Sequence, residues 1–337
     1  MHLKEFLKKY DTVIFDMDGV ITSESAYWDA AALTVYQEIN ATELFDDSVD
    51  VSYYTSHVKE IRKEVFCDDK LIGVLKNKGV NSNWDLAYVT IAIAKLYGTK
   101  DFNLCMEYAE KLPDDAFLIY SEIASKLQEK LKIPDASRTS ELWNKIMMRF
   151  QEWVLGDEIF EKLYGKAPSQ GNKPGLLFNE EPVVDREKLI RVFDILKKDG
   201  KRLCTATGRI WEELKSPLEK FGIYEYFAPD GFINFNHVTR VQNNFSIQAT
   251  KPHPYMFLKA LFGEDYPDEK LLRGDYDKSF IKKALVVGDA GSDILGAKAM
   301  GADFCAVLTG IKGTGARSYF EELKAEYILD SILDFVE

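Results

Sequence analysis

Residues Thr12 to Val20 read Thr-Val-Ile-Phe-Asp-Met-Asp-Gly-Val, and this stretch constrains the fold more than any other. Val13, Ile14 and Phe15 are β-formers in an unbroken apolar run, the signature of a strand buried on both faces, as in a parallel sheet. Asp16 and Asp18 flank Met17 at its end, and Gly19 supplies a turn. In such sheets chemistry collects at the carboxyl ends of the strands. Two carboxylates one residue apart there carry a double charge that a hard cation with oxygen ligands would offset.

The character of the chain changes after Glu24. From Ser25 to Tyr164 apolar residues recur at helical spacing, as in Leu142, Trp143, Ile146, Met147, Phe150, Trp153 and Val154. Helices are expected near 26–39, 55–65, 84–97, 102–111, 115–131, 142–154 and 158–164. The 84–97 segment is apolar nearly all round, as inside a bundle. Gly165 to Pro182 is rich in glycine and proline and reads as a connection between domains.

Beyond it strands and helices alternate. A helix capped by Asp185 runs through Lys198, with Leu189, Ile190, Phe193 and Leu196 as its buried stripe and Gly200 stopping it. A strand at 202–206 follows, then a helix at 211–221 that Pro217 should kink or split. A strand or hairpin is expected at 228–237 and a helix at 254–262. The remaining expectations are strands at 284–287, 303–308 and 327–329, and helices at 293–300, 318–324 and 331–335. This alternation means an α/β fold with a doubly wound parallel sheet. The opening strand belongs to that sheet, so the helical block is an insertion. The expected division is a core of residues 1–21 and 181–337 and an inserted all-α cap of residues 22–180, whose return linker is 165–180.

The formal net charge of −12 argues against nucleic acid or an anionic membrane as partner. It leaves room for a small anionic substrate, because a metal and one lysine can reverse the sign inside a cleft. Cys67, Cys105, Cys204 and Cys305 are scattered without C-x-x-C spacing and read as buried free thiols. The N-terminus carries Lys4, Glu5, Lys8 and Lys9, unlike a signal peptide, and no apolar run approaches the ~18 residues of a membrane span. The cytoplasm is the expected compartment.

Four separated pieces fall at strand ends or just beyond: Asp16 and Asp18; Thr207 in Thr207-Gly208-Arg209; Lys251 in Lys251-Pro252-His253-Pro254; and Asp289 with Asp293 in Gly288-Asp289-Ala290-Gly291-Ser292-Asp293. Each has an ordinary structural alternative, respectively a polar turn, a helix cap, a solvated lysine and a helix start. In this order they resemble the four motifs of the haloacid dehalogenase-like hydrolase superfamily, over residues ~11–25 and ~181–337. The helical block sits where that family places a C1 cap, though it is larger than the usual version.

The resemblance implies a Mg²⁺-dependent phosphohydrolase acting on a small phosphorylated metabolite through an aspartyl-phosphate. Asp16 would be the nucleophile and Asp18 the general acid and base. Mg²⁺ would be held by the side chains of Asp16 and Asp289 and the main-chain carbonyl of Asp18. Thr207 and Lys251 would hold the phosphoryl oxygens, and Asp293 would orient Lys251 or a metal-bound water. Thr205 competes for the role of Thr207, which the family's spacing from Gly200 favours.

Gly208, Arg209 and Asn83 are further candidates for substrate contact. Arg209 either meets a substrate phosphate or caps the sheet edge. Asn83 lies in the polar run Asn81-Ser82-Asn83-Trp84-Asp85, where Ser82 and Asp85 also make a capping box. Gly310 to Gly315 reads as a plain loop and His253 as a turn residue, while His57 and His237 show no partner at metal-ligand spacing. A sugar phosphomutase using the same intermediate is the nearest rival. A catalytically inactive module binding a phosphorylated ligand or a protein is a rival of another class. Substrate identity and oligomeric state are not legible in the sequence.

Overall fold

Strands form where short apolar runs are bounded by turn residues: β1 Thr12–Phe15, β2 Arg202–Ala206, β3 Phe232–Ile233, β4 Ala284–Gly288, β5 Asp303–Val307 and β6 Tyr327–Leu329. In the structure, a computed structural model that describes residues 2–41, 45, 49–80 and 82–337, they build one six-stranded sheet in the order β3-β2-β1-β4-β5-β6. Every pairing is parallel, with Phe15 in register with Thr205 on one side and Val287 on the other. From β1 the chain goes outward to β2 and β3, then crosses to β4 on the opposite side. The β1/β4 crevice is therefore the topological switch point, the place where such sheets bind ligands.

The chain divides into two compact units, Met1–Glu24 with Glu180–Glu337, and Ser25–Asn179. The second is all-helical: α1 Ser25–Asn40, α2 Val51–Ser56, α3 Val58–Val65, α4 Lys70–Asn77, α5 Asn83–Tyr97, α6 Phe102–Glu110, α7 Ala116–Leu131 and α8 Glu141–Tyr164. The single helix expected at 55–65 is two, α2 and α3, and α4 was not anticipated. α8 covers the two helices expected at 142–154 and 158–164, which meet at Gly156, where φ is +72°.

A Cβ on Gly156 would lie 2.7 Å from Gly175 N, so the return segment passes directly against this kink. That segment is strapped down rather than a loose linker. Glu152 accepts from Ser169 N at 2.7 Å and pairs with the Lys173 ammonium, while Asp157 accepts from Asn172 N at 2.5 Å and Lys173 N at 3.1 Å. Burying these backbone donors without partners would be costly, and the two carboxylates satisfy them.

The sheet unit adds α9 Arg186–Lys198, α10 Trp211–Phe221, α11 Phe235–Phe245, α12 Tyr255–Phe262, α13 Asp268–Arg273, α14 Gly291–Met300 and α15 Arg317–Glu322. Alternate strand residues serve opposite faces. Val13, Phe15, Leu203, Leu285 and Val287 pack with Leu189, Val192, Phe193 and Leu196 of α9 and Leu214 and Leu218 of α10. Ile14, Cys204, Ala206 and Val286 pack instead with α12 and α14. In the stripe of α9, Val192 is fully buried where Ile190 was expected, and Ile190 is only partly so.

The strand or hairpin expected at 228–237 is a strand of only two residues, β3, because Asn234 caps α11 with His237 completing a capping box. Pro217 does not split α10, which runs unbroken through it. Proline cannot donate to the carbonyl four residues back, that of Glu213, and Arg209 Nη1 donates to it instead at 3.0 Å. All four cysteines are free thiols; Cys67 is half-buried rather than buried as expected. No helix among the described residues is long and apolar enough to cross a membrane.

Candidate active site

Because β1, β2 and β4 are in parallel register, the residues that follow them emerge together on one edge of the sheet. Asp16 continues β1 with its amide bonded to Val287 O at 2.9 Å. Its Oδ1 accepts from Met17 N at 2.8 Å and lies 2.9 Å from Lys251 Nζ. Lys251 precedes α12, and its Nζ also lies 2.8 Å from Asp293 Oδ1. Asp293 is in the first turn of α14, with Oδ2 accepting from Ala290 N at 3.2 Å. One buried ammonium thus joins the ends of β1 and β4.

Asp16, Asp289 and Asp293 each offer a carboxylate oxygen, and these oxygens lie within 4.8 Å of one another. Such proximity of like charges costs energy away from water. Burial pushes Asp16 up to about 7, with Lys251 opposing the rise and Asp293 and Asp18 adding to it. Burial likewise raises Asp289 well above the ordinary carboxylate range, with Asp293 and Asp16 contributing. For Lys251 burial works against the charge, but Asp16 and Asp293 outweigh it and keep the ammonium protonated. One ammonium against three carboxyl groups makes a close cluster of hard oxygen donors. That donor set fits a divalent cation of the Mg²⁺ type.

Glycines fit closely around Asp289. A Cβ on Gly19 or on Gly310 would overlap Asp289 Oδ2, and Thr309 Oγ1 ties the two loops by donating to Gly19 O at 2.5 Å. Gly310 was read from the sequence as part of a plain loop. Its closeness to Asp289 is a product of β4 and β5 being neighbours, and no local motif announces it.

Thr205 lies within β2, paired with Phe15 and Phe232. Thr207 lies past the strand end and is fully buried, its Oγ1 accepting from Arg209 N at 3.2 Å. That bond leaves the hydroxyl proton available to donate. Gly208 is exposed, and a Cβ on it would meet nothing.

Arg209 lies inside the protein. It is 3% exposed, and its guanidinium grips Asp18 through Nη2–Oδ1 at 2.6 Å and Nε–Oδ2 at 3.2 Å. Glu180, Thr22 and the Glu213 carbonyl take its other N–H groups. Burial raises Glu180 above the ordinary range even though Arg209 pulls the other way. Sequence reasoning missed Glu180 and Thr22, which lie far from Arg209 in the chain.

Asn83 is the first residue of α5, in the helical unit. Asn81 lies outside the described residues. Ser82 caps α5 by accepting from Asp85 N at 3.4 Å, but Asp85 does not complete a box. Its buried carboxylate instead accepts from Trp143 Nε1 at 2.7 Å and Tyr120 OH at 3.1 Å, and pairs with Arg138 at 3.2 Å. His253 Nδ1 accepts from Tyr255 N at 3.2 Å, a turn role.

A sequence model of the haloacid dehalogenase-like hydrolases matches residues 10–301. The pyrophosphatase PpaX of Bacillus thuringiensis is 27% identical over 158 residues, which are 47% of this chain and 61% of that protein. The chain thus spans less than two thirds of the length of this curated relative. A crystal structure solved as a Northeast Structural Genomics Consortium target superposes with a TM-score of 0.77 at 25% identity, over 96% of this chain and 97% of that one. The phosphatase Tt82 of Thermococcus thioreducens shares the fold at 18% identity and a TM-score of 0.50, over 87% and 90% of the two chains.

Proposed function

Because the chain belongs to the haloacid dehalogenase-like hydrolases, we propose that it is a Mg²⁺-dependent phosphohydrolase cleaving a small phosphorylated metabolite through an aspartyl-phosphate on Asp16. The observation that carries this reading is the meeting of Asp16, Lys251, Asp289 and Asp293 at the β1/β4 switch point. Phosphate esters resist water strongly, and an enzyme gains most by holding the phosphoryl group in line and neutralising its charge.

Asp16 Oδ1 is engaged by Met17 N and Lys251, which fixes the carboxylate at the end of β1. Asp16 attacks phosphorus, the ester oxygen leaves with a proton from Asp18, and a phosphoaspartate forms. Asp18 then takes a proton from the attacking water, phosphate departs, and Asp16 is restored. The Thr207 hydroxyl and the Lys251 ammonium hold phosphoryl oxygens, and Asp293 holds Lys251. Asp16, Asp289 and the main chain of Asp18 would hold Mg²⁺, which supplies charge neutralisation to the transferring group.

The helical unit takes the part of the cap that selects the substrate. The cytoplasm is the expected site of action. The test is phosphate release from p-nitrophenyl phosphate with and without Mg²⁺, followed by sugar phosphates, nucleotides and other metabolite esters. Wild-type turnover that needs Mg²⁺ and vanishes in Asp16→Asn supports the reading. Equal turnover by Asp16→Asn overturns it.

A further inference from the structure

The link between Asp18 and Arg209 extends this functional reading and rests on it. Arg209 is held from several directions by partners other than Asp18. Its main-chain N–H is fixed by Thr207 Oγ1 at 3.2 Å. Nη1 serves Glu180 Oε2 at 2.9 Å and the Glu213 carbonyl at 3.0 Å, the acceptor that Pro217 leaves without a helical donor. Nη2 reaches Thr22 Oγ1 at 2.8 Å and Glu180 Oε1. Glu180 and Thr22 are both fully buried. A planar guanidinium anchored in this way has one orientation left to it.

The remaining edge faces Asp18, whose side chain is 34% exposed while that of Arg209 is 2% exposed. The contact is two-pronged, Nη2 to Oδ1 and Nε to Oδ2, so it fixes the plane of the carboxylate as well as its position. Neutralising Arg209 would need only Glu180. A second, half-exposed carboxylate on the open edge is a different feature, because it is the one member of the cluster that meets solvent. We propose that Arg209, backed by Glu180, is a positioning residue that presents Asp18 to the leaving oxygen and to the attacking water. Arg209 itself touches neither.

Positioning of an acid has a readout that simple destabilisation lacks. Leaving groups that depart readily as anions need little protonation, whereas alkoxides need it fully, and a well-placed acid contributes ~10²–10⁴-fold. The experiment measures kcat/KM of the full chain with 2,4-dinitrophenyl, p-nitrophenyl and simple alkyl phosphates. Wild type is compared with Arg209→Lys, Glu180→Gln and Asp16→Asn, with thermal melts to confirm folding. Arg209→Lys keeps the charge and loses the fork. It is expected to lose roughly 100-fold on the alkyl ester and under about 5-fold on the dinitrophenyl ester. Glu180→Gln should show the same leaving-group dependence at smaller amplitude.

A loss that is equal across leaving groups, or no loss, overturns the proposal. If Arg209→Lys does not fold, the profile of Glu180→Gln decides by the same criterion. A wild type that releases no phosphate from any ester overturns the phosphohydrolase reading and this inference with it. An active wild type, an inactive Asp16→Asn and a flat profile in both other variants overturn this inference alone.

Discussion

Lys251 Nζ stands 2.9 Å from Asp16 Oδ1, so the proposed nucleophile is paired with a cation brought from another part of the chain. The same ammonium is bound by Asp293 at 2.8 Å, which keeps it between the ends of β1 and β4. Lys251→Met removes a positive charge from a buried site that already holds an excess of carboxylates. The expected outcome is a fall in kcat of ~10²–10³-fold, the usual cost of losing one preorganised charge-stabilising group. Steady-state phosphate release checks this, and a loss confined to KM would contradict it.

The raised Asp16 and Asp289 make a prediction about pH. A carboxyl whose pKa in the fold exceeds its ordinary value binds protons more tightly in the native state. Its contribution to stability is complete below the ordinary carboxylate range and is lost as pH rises through the folded value. For Asp16 that window runs from 3.8 towards about 7, and for Asp289 it extends upward from the same start. The metal-free protein should therefore melt at a lower temperature at about pH 8 than at about pH 5.5, and added Mg²⁺ should stabilise it more at the higher pH. Thermal melts at both pH values, with Mg²⁺ and with chelator, test both signs. A Mg²⁺ shift larger at the lower pH would contradict the assignment.

Gly310 is expected to tolerate no side chain, since a Cβ there overlaps Asp289 Oδ2. Gly310→Ala must displace that carboxylate, because the Thr309 hydroxyl holds the loop to Gly19. Groups that orient a metal ligand typically affect affinity by ~10–100-fold, and a weakening of Mg²⁺ binding in that range is expected. Calorimetric titration measures it. Unchanged affinity would mean that the loop yields and Asp289 does not.

In the helical unit, Glu152 and Lys173 form a pair with side chains 4% and 0% exposed. Glu152→Met leaves the buried ammonium without that carboxylate and releases the Ser169 donors. A destabilisation of roughly 3–5 kcal/mol is expected, with much of it recovered when Lys173→Met is added. Denaturant unfolding of the two variants distinguishes this from simple loss of packing, for which the second substitution would add to the first.

Much of the sheet unit was legible residue by residue. The bounds of β2 and β6 and of α10 coincide with those read from periodicity and turn residues, because each strand is a short apolar run closed by polar or glycine positions. The misreadings have local causes. At 228–237 a β-rich composition hides a helix cap at Asn234. At Pro217 the helix survives because a donor arrives from Arg209, outside its own ladder. For Arg209 the sequence left open a contact with substrate phosphate or a cap on the sheet edge, since nothing nearby in sequence reveals the buried Glu180 that pairs with it.

The sequence by itself determined the kinds of element, their order and the residue types at the end of each strand, because periodicity and turn chemistry act over a few residues. Only the tertiary structure decided which charges meet. Parallel register set the end of β4, and with it Asp289, beside Asp16, the segment before α12 brought Lys251 there, and the Arg209 guanidinium is buried among Asp18, Thr22, Glu180 and Glu213, partners that its neighbours in the chain did not suggest. The physical reason is that charge pairing and desolvation depend on distances of a few ångströms between groups up to hundreds of residues apart, and no local pattern encodes those distances.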